Sequence, residues 1–221
     1  MTQLTGDEKH GPSATSTLDV LWVLYDKVLR VSPAAADDPE RDRFLLSKGH
    51  GPAAYYAVLA AKDFVPESWL PGFGGVDSPL GYHPDRNLVP GVEIASGSLG
   101  HGLPLGVGLA HGLLARGLAR PRVFVLVGDA ELDEGSNNEA IVYAGAVGLP
   151  NLIVIAVDNR SASHGWGPGG IESHFAVSGW SVVRVDGRDH VALAAALLAA
   201  RDGSGSAGAP RLVVANVEDK W

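Results

Sequence analysis

Gly128-Asp129-Ala130-Glu131-Leu132-Asp133-Glu134-Gly135-Ser136-Asn137-Asn138-Glu139 follows directly on the apolar run Arg122-Val123-Phe124-Val125-Leu126-Val127. A second apolar run, Leu152 to Val157, ends at Asp158-Asn159. Short unbroken apolar runs of this kind read as strands buried on both faces, as in a parallel sheet covered by helices. Gly128 and Asp129 then stand at the carboxyl end of one strand, where open α/β sheets bind ligands, and the second strand delivers Asn159 to the same edge. A helix predicted from Gly135 begins beside them. One carboxylate, one amide oxygen and several free backbone groups thus meet at adjoining strand ends, a cradle for a metal and a diphosphate. Hard oxygen ligands with room for phosphate oxygens and water suit an octahedral magnesium ion. The plainer alternatives are that Asp129 caps the next helix and that Asn159 is a turn residue.

On either side of this segment the apolar spacing alternates between helix and strand. Leu18, Leu21, Trp22, Leu24, Tyr25, Val28 and Leu29 form a helical stripe ended by Ser32-Pro33, and Ala34 to Glu40 reads as a polar loop. Further helices are predicted over about Pro52–Lys62, Gly100–Arg120, Gly135–Val147 and His190–Arg201. Further strands are predicted over Ser181–Val185 and Leu212–Val217. Val65 to Pro90, rich in Pro, Gly and aromatics without periodicity, reads as a long ordered loop over a site. The small residues of Gly100 to Arg120 suit a helix packed closely against a sheet. The expected architecture is α/β, a three-layer α/β/α arrangement with a mainly parallel central sheet, built as one domain over residues 1–221.

Composition narrows the function classes. At 221 residues with 46% hydrophobic content the chain can bury a full core, and it contains no cysteine, so disulfides, thiolate catalysis and zinc–cysteine sites are excluded. No apolar run approaches the ~18 residues of a membrane span, and the polar start is unlike a signal peptide; the expectation is a cytoplasmic protein. A net charge of -8 leaves no basic stripe for nucleic acid.

The Gly128–Asn159 arrangement resembles the thiamin diphosphate motif of the transketolase family, which opens with Gly-Asp-Gly and closes further along with Asn. Arg41-Asp42-Arg43-Phe44-Leu45-Leu46-Ser47-Lys48-Gly49-His50-Gly51 resembles that family's Asp-Arg-Phe-x-Leu-Ser-x-Gly-His-Gly segment. Pro90-Gly91-Val92-Glu93 and Gly97-Ser98-Leu99-Gly100-His101-Gly102 resemble its Pro-Gly-Val-Glu and Gly-x-Leu-Gly-Gln-Gly segments. Near the start, Lys9-His10-Gly11-Pro12 precedes Leu18-Asp19-Val20-Leu21 as Gly-His-Pro-Gly precedes Asp-Ile-Leu in the family. The resemblance runs over residues 9 to 217 in order, and several motifs in register are far more specific than one.

The resemblance implies a role for each matching residue. Asp129, the Asn159 side chain and the backbone carbonyl of Ser161 would hold Mg2+, and Gly128, Asp129, Ala130, Glu134, Asn159 and His50 would surround thiamin diphosphate. Ala130 stands where the family has its second Gly; at positive φ that substitution would cost ~1 kcal/mol, and at negative φ nothing. Gly97 and Leu99 would hold the aminopyrimidine ring. His50 would contact the diphosphate near the thiazolium, while His10 and His83 would hydrogen-bond substrate oxygens and pass protons. Two of these motifs depart from the pattern: residues 9–12 exchange Pro and Gly, and Gly81-Tyr82-His83-Pro84 stands one residue further from Pro90-Gly91. The alternative for each histidine is an exposed loop or helix-end residue. Glu134 and Glu139, otherwise ordinary acids at a helix start, would lie at a dimer interface and link two active sites. His101, His111, His164, His174 and His190 match no motif; His164, in the Gly-rich loop 164–170, is the one best placed to meet substrate.

The family's pyrimidine-binding domain, with the glutamate that activates the cofactor, has no counterpart before Trp221. The expectation is therefore a split enzyme: a diphosphate-binding subunit, inactive alone, paired as α2β2 with a separately encoded pyrimidine-binding subunit, moving a two-carbon ketol unit from a ketose to an aldehyde. Three rivals stand beside it. They are a thiamin-dependent carboligase with another donor, a non-catalytic paralogue, and a nicotinamide-binding domain, the last contradicted by the glycine spacing of residues 97–102.

Overall fold

The computed structural model describes Leu4, residues 11–203 and residues 208–217. Among these residues five strands, β1 (Arg43–Leu46), β2 (Val123–Gly128), β3 (Leu152–Asp158), β4 (Ser181–Asp186) and β5 (Arg211–Asn216), form one parallel sheet in the order β1-β2-β3-β5-β4. Among the described residues six α-helices flank it: α1 (Gly11–Val23), α2 (Ala53–Ala61), α3 (Gly102–Ala115), α4 (Gly135–Val147), α5 (Gly170–Ala176) and α6 (His190–Asp202).

The central strands are apolar throughout because each face meets a helical layer. Phe124, Leu126, Ile153, Ile155, Val157, Val213 and Ala215 point into one core, shared with α1, α2 and α6. The intervening residues Val123, Val125, Val127, Leu152, Val154, Ala156, Leu212 and Val214 point into a second core with α3, α4 and α5. Alternate side chains of a strand leave opposite faces, so two cores require an unbroken apolar run. The edge strand β4 covers neither core fully and is correspondingly more exposed. The expected three-layer α/β/α fold is the observed one.

The small residues of α3 have the predicted effect. A Cβ on Gly106 would lie 2.4 Å from Val125 Cγ2, so glycine there sets how near α3 approaches β2.

Several boundaries differ from expectation. The first helix begins at Gly11, ahead of the apolar stripe, and its last part, Leu24–Val28, is wound as a π-helical turn. Thr15 and Thr17 bond back to the carbonyls of Gly11, Ser13 and Ala14, so the polar start of α1 satisfies its hydroxyls along the helix itself. β1 and α5 have no counterpart among the predicted elements. Four residues in β1 and seven in α5 are too short to show a period, and β1 follows a charged segment. Residues 65–90 form an ordered loop containing one 3-10 turn, Glu67–Gly72, and pinned by buried Leu70, Phe73, Leu80 and Val89. Among the described residues no helix is long and apolar enough to cross a membrane.

Candidate functional site

Parallel pairing of β2 with β3 sets Gly128 opposite Val157, which places Asp129 and Asn159 together at the carboxyl edge of the sheet. Both are buried. Asp129 Oδ1 accepts from the Ala130 N–H at 2.9 Å and the Ser161 hydroxyl at 2.6 Å. Its Oδ2 accepts from the N–H groups of Ser161 at 2.6 Å and Ala162 at 3.2 Å. Arg160, between Asn159 and Ser161, takes the left-handed φ of 55°, which turns the chain back toward Asp129. Asn159 Nδ2 donates to Ser16 Oγ at 3.3 Å. Its Oδ1 is buried with no hydrogen-bond partner among the described residues. A buried amide oxygen left bare costs roughly 1–3 kcal/mol, and a hard cation is a partner that would satisfy it. The donor set therefore fits a divalent ion bound by one carboxylate and one amide oxygen. Among the described residues no group of three His, Cys, Asp or Glu side chains offers a metal a different home.

Ala130 is absent from the residues with positive φ, so alanine in place of glycine carries no backbone strain there. Its N–H is directed at Asp129 rather than outward.

A second group lies across the end of β1. The rings of His50 and His83 meet edge to face, 5.2 Å between centroids and 83° between planes. Ser13, in the first turn of α1, donates its hydroxyl to the His50 carbonyl at 3.0 Å. Gly97 has φ 133°, and a Cβ there would lie 2.4 Å from His83 Cδ2, so the ring occupies space that only glycine leaves. His50, His83 and Gly97, separated by up to dozens of positions in sequence, thus converge. Leu99 is half-buried beside them, and its carbonyl lies 3.0 Å from His101 Nδ1. Glu134, at the start of α4, is exposed, with its Cβ against Gly100; Glu139 is exposed one turn on. His10 lies outside the described residues.

Four residues that sequence reasoning left unassigned join this site. Lys48 is buried and donates through Nζ to the Ser13 carbonyl at 2.9 Å and to the Ser13 hydroxyl. Ser13 and Ser16 bring the first two turns of α1 to His50 and Asn159. Glu131 is buried against Ser47, Gly100 and Gly128; burial pushes its carboxyl above the usual range, while those three hydrogen bonds and the Lys48 charge pull it back. Lys48 and Glu131 stand inside the quoted motifs, but nothing local distinguishes a buried lysine or glutamate from an exposed one.

The transketolase family's thiamine diphosphate binding domain matches residues 5–214. The chain belongs to the transketolase family. Among transketolase-family relatives, it is 44% identical over 151 residues to one of the subunits of apulose-4-phosphate transketolase from Actinobacillus succinogenes, covering 68% of this chain and 54% of that protein. It is 55% identical over 197 residues to a Rhodococcoides fascians protein named ferredoxin fas2, covering 89% of this chain and 64% of that one. The 221 residues hold no cysteine with which to ligate an iron–sulfur cluster. The fold matches transketolase from Leishmania mexicana with a TM-score of 0.77 at 27% identity, over 95% of this chain and 37% of that one. The chain thus spans only part of the length of each of these three proteins.

Proposed function

We propose that this chain is the diphosphate-binding subunit of a split transketolase that works with thiamin diphosphate, Mg2+ and a separately encoded pyrimidine-binding subunit. The observation that carries the reading is the placement of buried Asp129 and the bare Asn159 Oδ1 at adjoining strand ends, beside the His50–His83–Gly97 cluster. Names of relatives support the two-component arrangement: Actinobacillus succinogenes and Phocaeicola vulgatus each have a relative named as one subunit of an apulose-4-phosphate transketolase.

In this reading Asp129, Asn159 Oδ1 and the Ser161 carbonyl hold the magnesium ion. Gly128, Ala130, Glu134 and His50 surround the diphosphate, and Gly97 and Leu99 receive the aminopyrimidine ring. The bound cofactor supplies the carbanion chemistry that breaks a ketose C–C bond and passes a two-carbon ketol unit to an aldehyde. His83 and His10 bind the donor's oxygens. With His50 they carry the proton lost from the hydroxyl beside the breaking bond, and return one to the acceptor's aldehyde oxygen as the new bond forms. The loop of residues 65–90 brings His83 to the site, where its ring packs on His50.

The partner's docking surface in this reading is the outer face of α3 and α4. Leu105, Val142, Tyr143 and Val147 are exposed there, Gly108 and Gly112 leave room for close approach, and Glu134 and Glu139 stand at one end. An α2β2 assembly follows from two such half-sites meeting across a two-fold axis. Calorimetric binding of thiamin diphosphate and Mg2+, with and without the pyrimidine-binding subunit, tests the proposal. Binding that appears or tightens sharply with the partner is expected; a folded complex that binds neither ligand would make the chain a non-catalytic paralogue.

A further inference from the structure

Glu131 holds neither metal nor diphosphate in the proposed site, yet it is 1% exposed and lies between the site's two halves. Its Oε1 accepts from the Gly100 N–H at 3.0 Å and from the Ser47 hydroxyl, and its Oε2 accepts from the Gly128 N–H at 3.3 Å. Ser47 Oγ in turn accepts from the Gly102 N–H at 3.0 Å, which directs the hydroxyl proton toward Glu131. All three neighbours present donors, so both carboxylate oxygens act as acceptors. The Glu131 carbonyl is anchored separately, by Asn137 Nδ2 of α4 at 2.6 Å, and Ser136 Oγ donates to the Gly100 carbonyl at 2.6 Å.

One side chain therefore ties together the end of β1, the loop leading into α3 and the end of β2. A carboxylate is costly to bury, and an apolar side chain in its place would leave the Gly100 and Gly128 N–H groups and the Ser47 hydroxyl without that acceptor. What the carboxylate supplies is directional: it holds backbone N–H groups of two segments at fixed distances from each other.

We propose that Glu131 is a positioning residue that sets the separation between the Gly97–Leu99 segment and the Gly128–Asp129 strand end. The identity of the ligand served, an aminopyrimidine at one end and a diphosphate at the other, rests on the proposed function; the separation itself does not. Glu131 acts through Gly100, Ser47 and Gly128 and touches neither cofactor nor substrate.

The variants E131A, E131Q and S47A test this. Glutamine keeps an oxygen for Ser47 and Gly100 but turns an amide N–H toward the Gly128 N–H, so it is expected to restore only part of what alanine loses. Hydrogen exchange of the full chain is expected to rise in peptides covering residues 97–102 in E131A, less in E131Q, with β3 and β5 unchanged. In the complex with the pyrimidine-binding subunit, thiamin diphosphate is expected to bind about tenfold more weakly to E131A, the loss of a charge-assisted hydrogen bond or more. Exchange that rises evenly through the sheet, or a folded E131A with wild-type affinity, would overturn the proposal. Should E131A not fold, E131Q and S47A carry the same comparison. A wild-type complex that binds no thiamin diphosphate would remove the proposed function, while exchange at residues 97–102 would still decide the role of Glu131.

Discussion

Ser161 meets Asp129 twice, its N–H reaching Oδ2 at 2.6 Å and its hydroxyl reaching Oδ1 at 2.6 Å. With the N–H groups of Ala130 and Ala162, four donors converge on one carboxylate, and the Ser161 hydroxyl is the one of the four that a side-chain rotation removes. In the proposed site a cation at Oδ1 would displace it. Ser161→Ala is therefore expected to tighten magnesium binding about fivefold, because a hydrogen bond of about 1 kcal/mol no longer has to break. Magnesium titration at fixed thiamin diphosphate measures this; unchanged affinity would mean that the ion does not approach Oδ1 from the hydroxyl's side.

Asp129→Asn probes the same carboxylate from the other direction. The amide cannot accept from all four donors and brings no charge to a cation. Loss of magnesium-dependent cofactor retention is expected, with a fall in stability of about 1–3 kcal/mol as a buried N–H group loses its acceptor. Equilibrium dialysis with and without chelator, beside urea denaturation, reads the two effects separately. Retention equal to wild type would remove Asp129 from the metal site.

Gly97→Ala places a Cβ 2.4 Å from His83 Cδ2 at a φ of 133°. Either the backbone or the His83 ring must move, and strain of this kind costs on the order of 1–3 kcal/mol. The expected result is a loss of turnover of tenfold or more in the assembled enzyme, while far-ultraviolet circular dichroism stays unchanged. A fully active variant would separate His83 from the chemistry.

Asp26 lies away from the site and offers a pH test of the fold. Hydrogen bonding from Lys62, then from Lys27, lowers its carboxyl from the ordinary 3.8 to about 2. Lys62 Nζ stands 2.6 Å from Asp26 Oδ1 and also 4.6 Å over the Trp22 ring, which joins α1 to the end of α2. A carboxyl depressed in the folded state stabilises it above the unfolded value, and that contribution disappears as pH falls from about 4 to about 2. The difference in melting temperature between wild type and Asp26→Asn is expected to shrink over this interval. A difference that persists at pH 2 would mean that the ion pair is not its source.

Some of these relationships are legible in the chain itself. β2 and β3 are visible as apolar runs because both their faces are buried, and Asp129 and Asn159 stand at their ends, where a parallel sheet gathers its carboxyl termini. β1 and α5 are not legible, since an element of four or seven residues carries too little periodicity to separate from a loop. The burial of Glu131 and Lys48 is equally hidden: glutamate and lysine are ordinarily exposed, and what admits them to the interior is a set of donors or acceptors drawn from distant parts of the chain.

Apolar period and motif order, both local properties of the chain, thus define the layered α/β fold and the strand ends that bear Asp129 and Asn159. The tertiary structure alone decided that His83 packs on His50 in the space left by Gly97, that Ser161 turns back onto Asp129, and that Glu131 holds Ser47, Gly100 and Gly128 together. Each of those relationships joins residues from separate segments, and their distances exist only once the sheet has brought the segments to one edge.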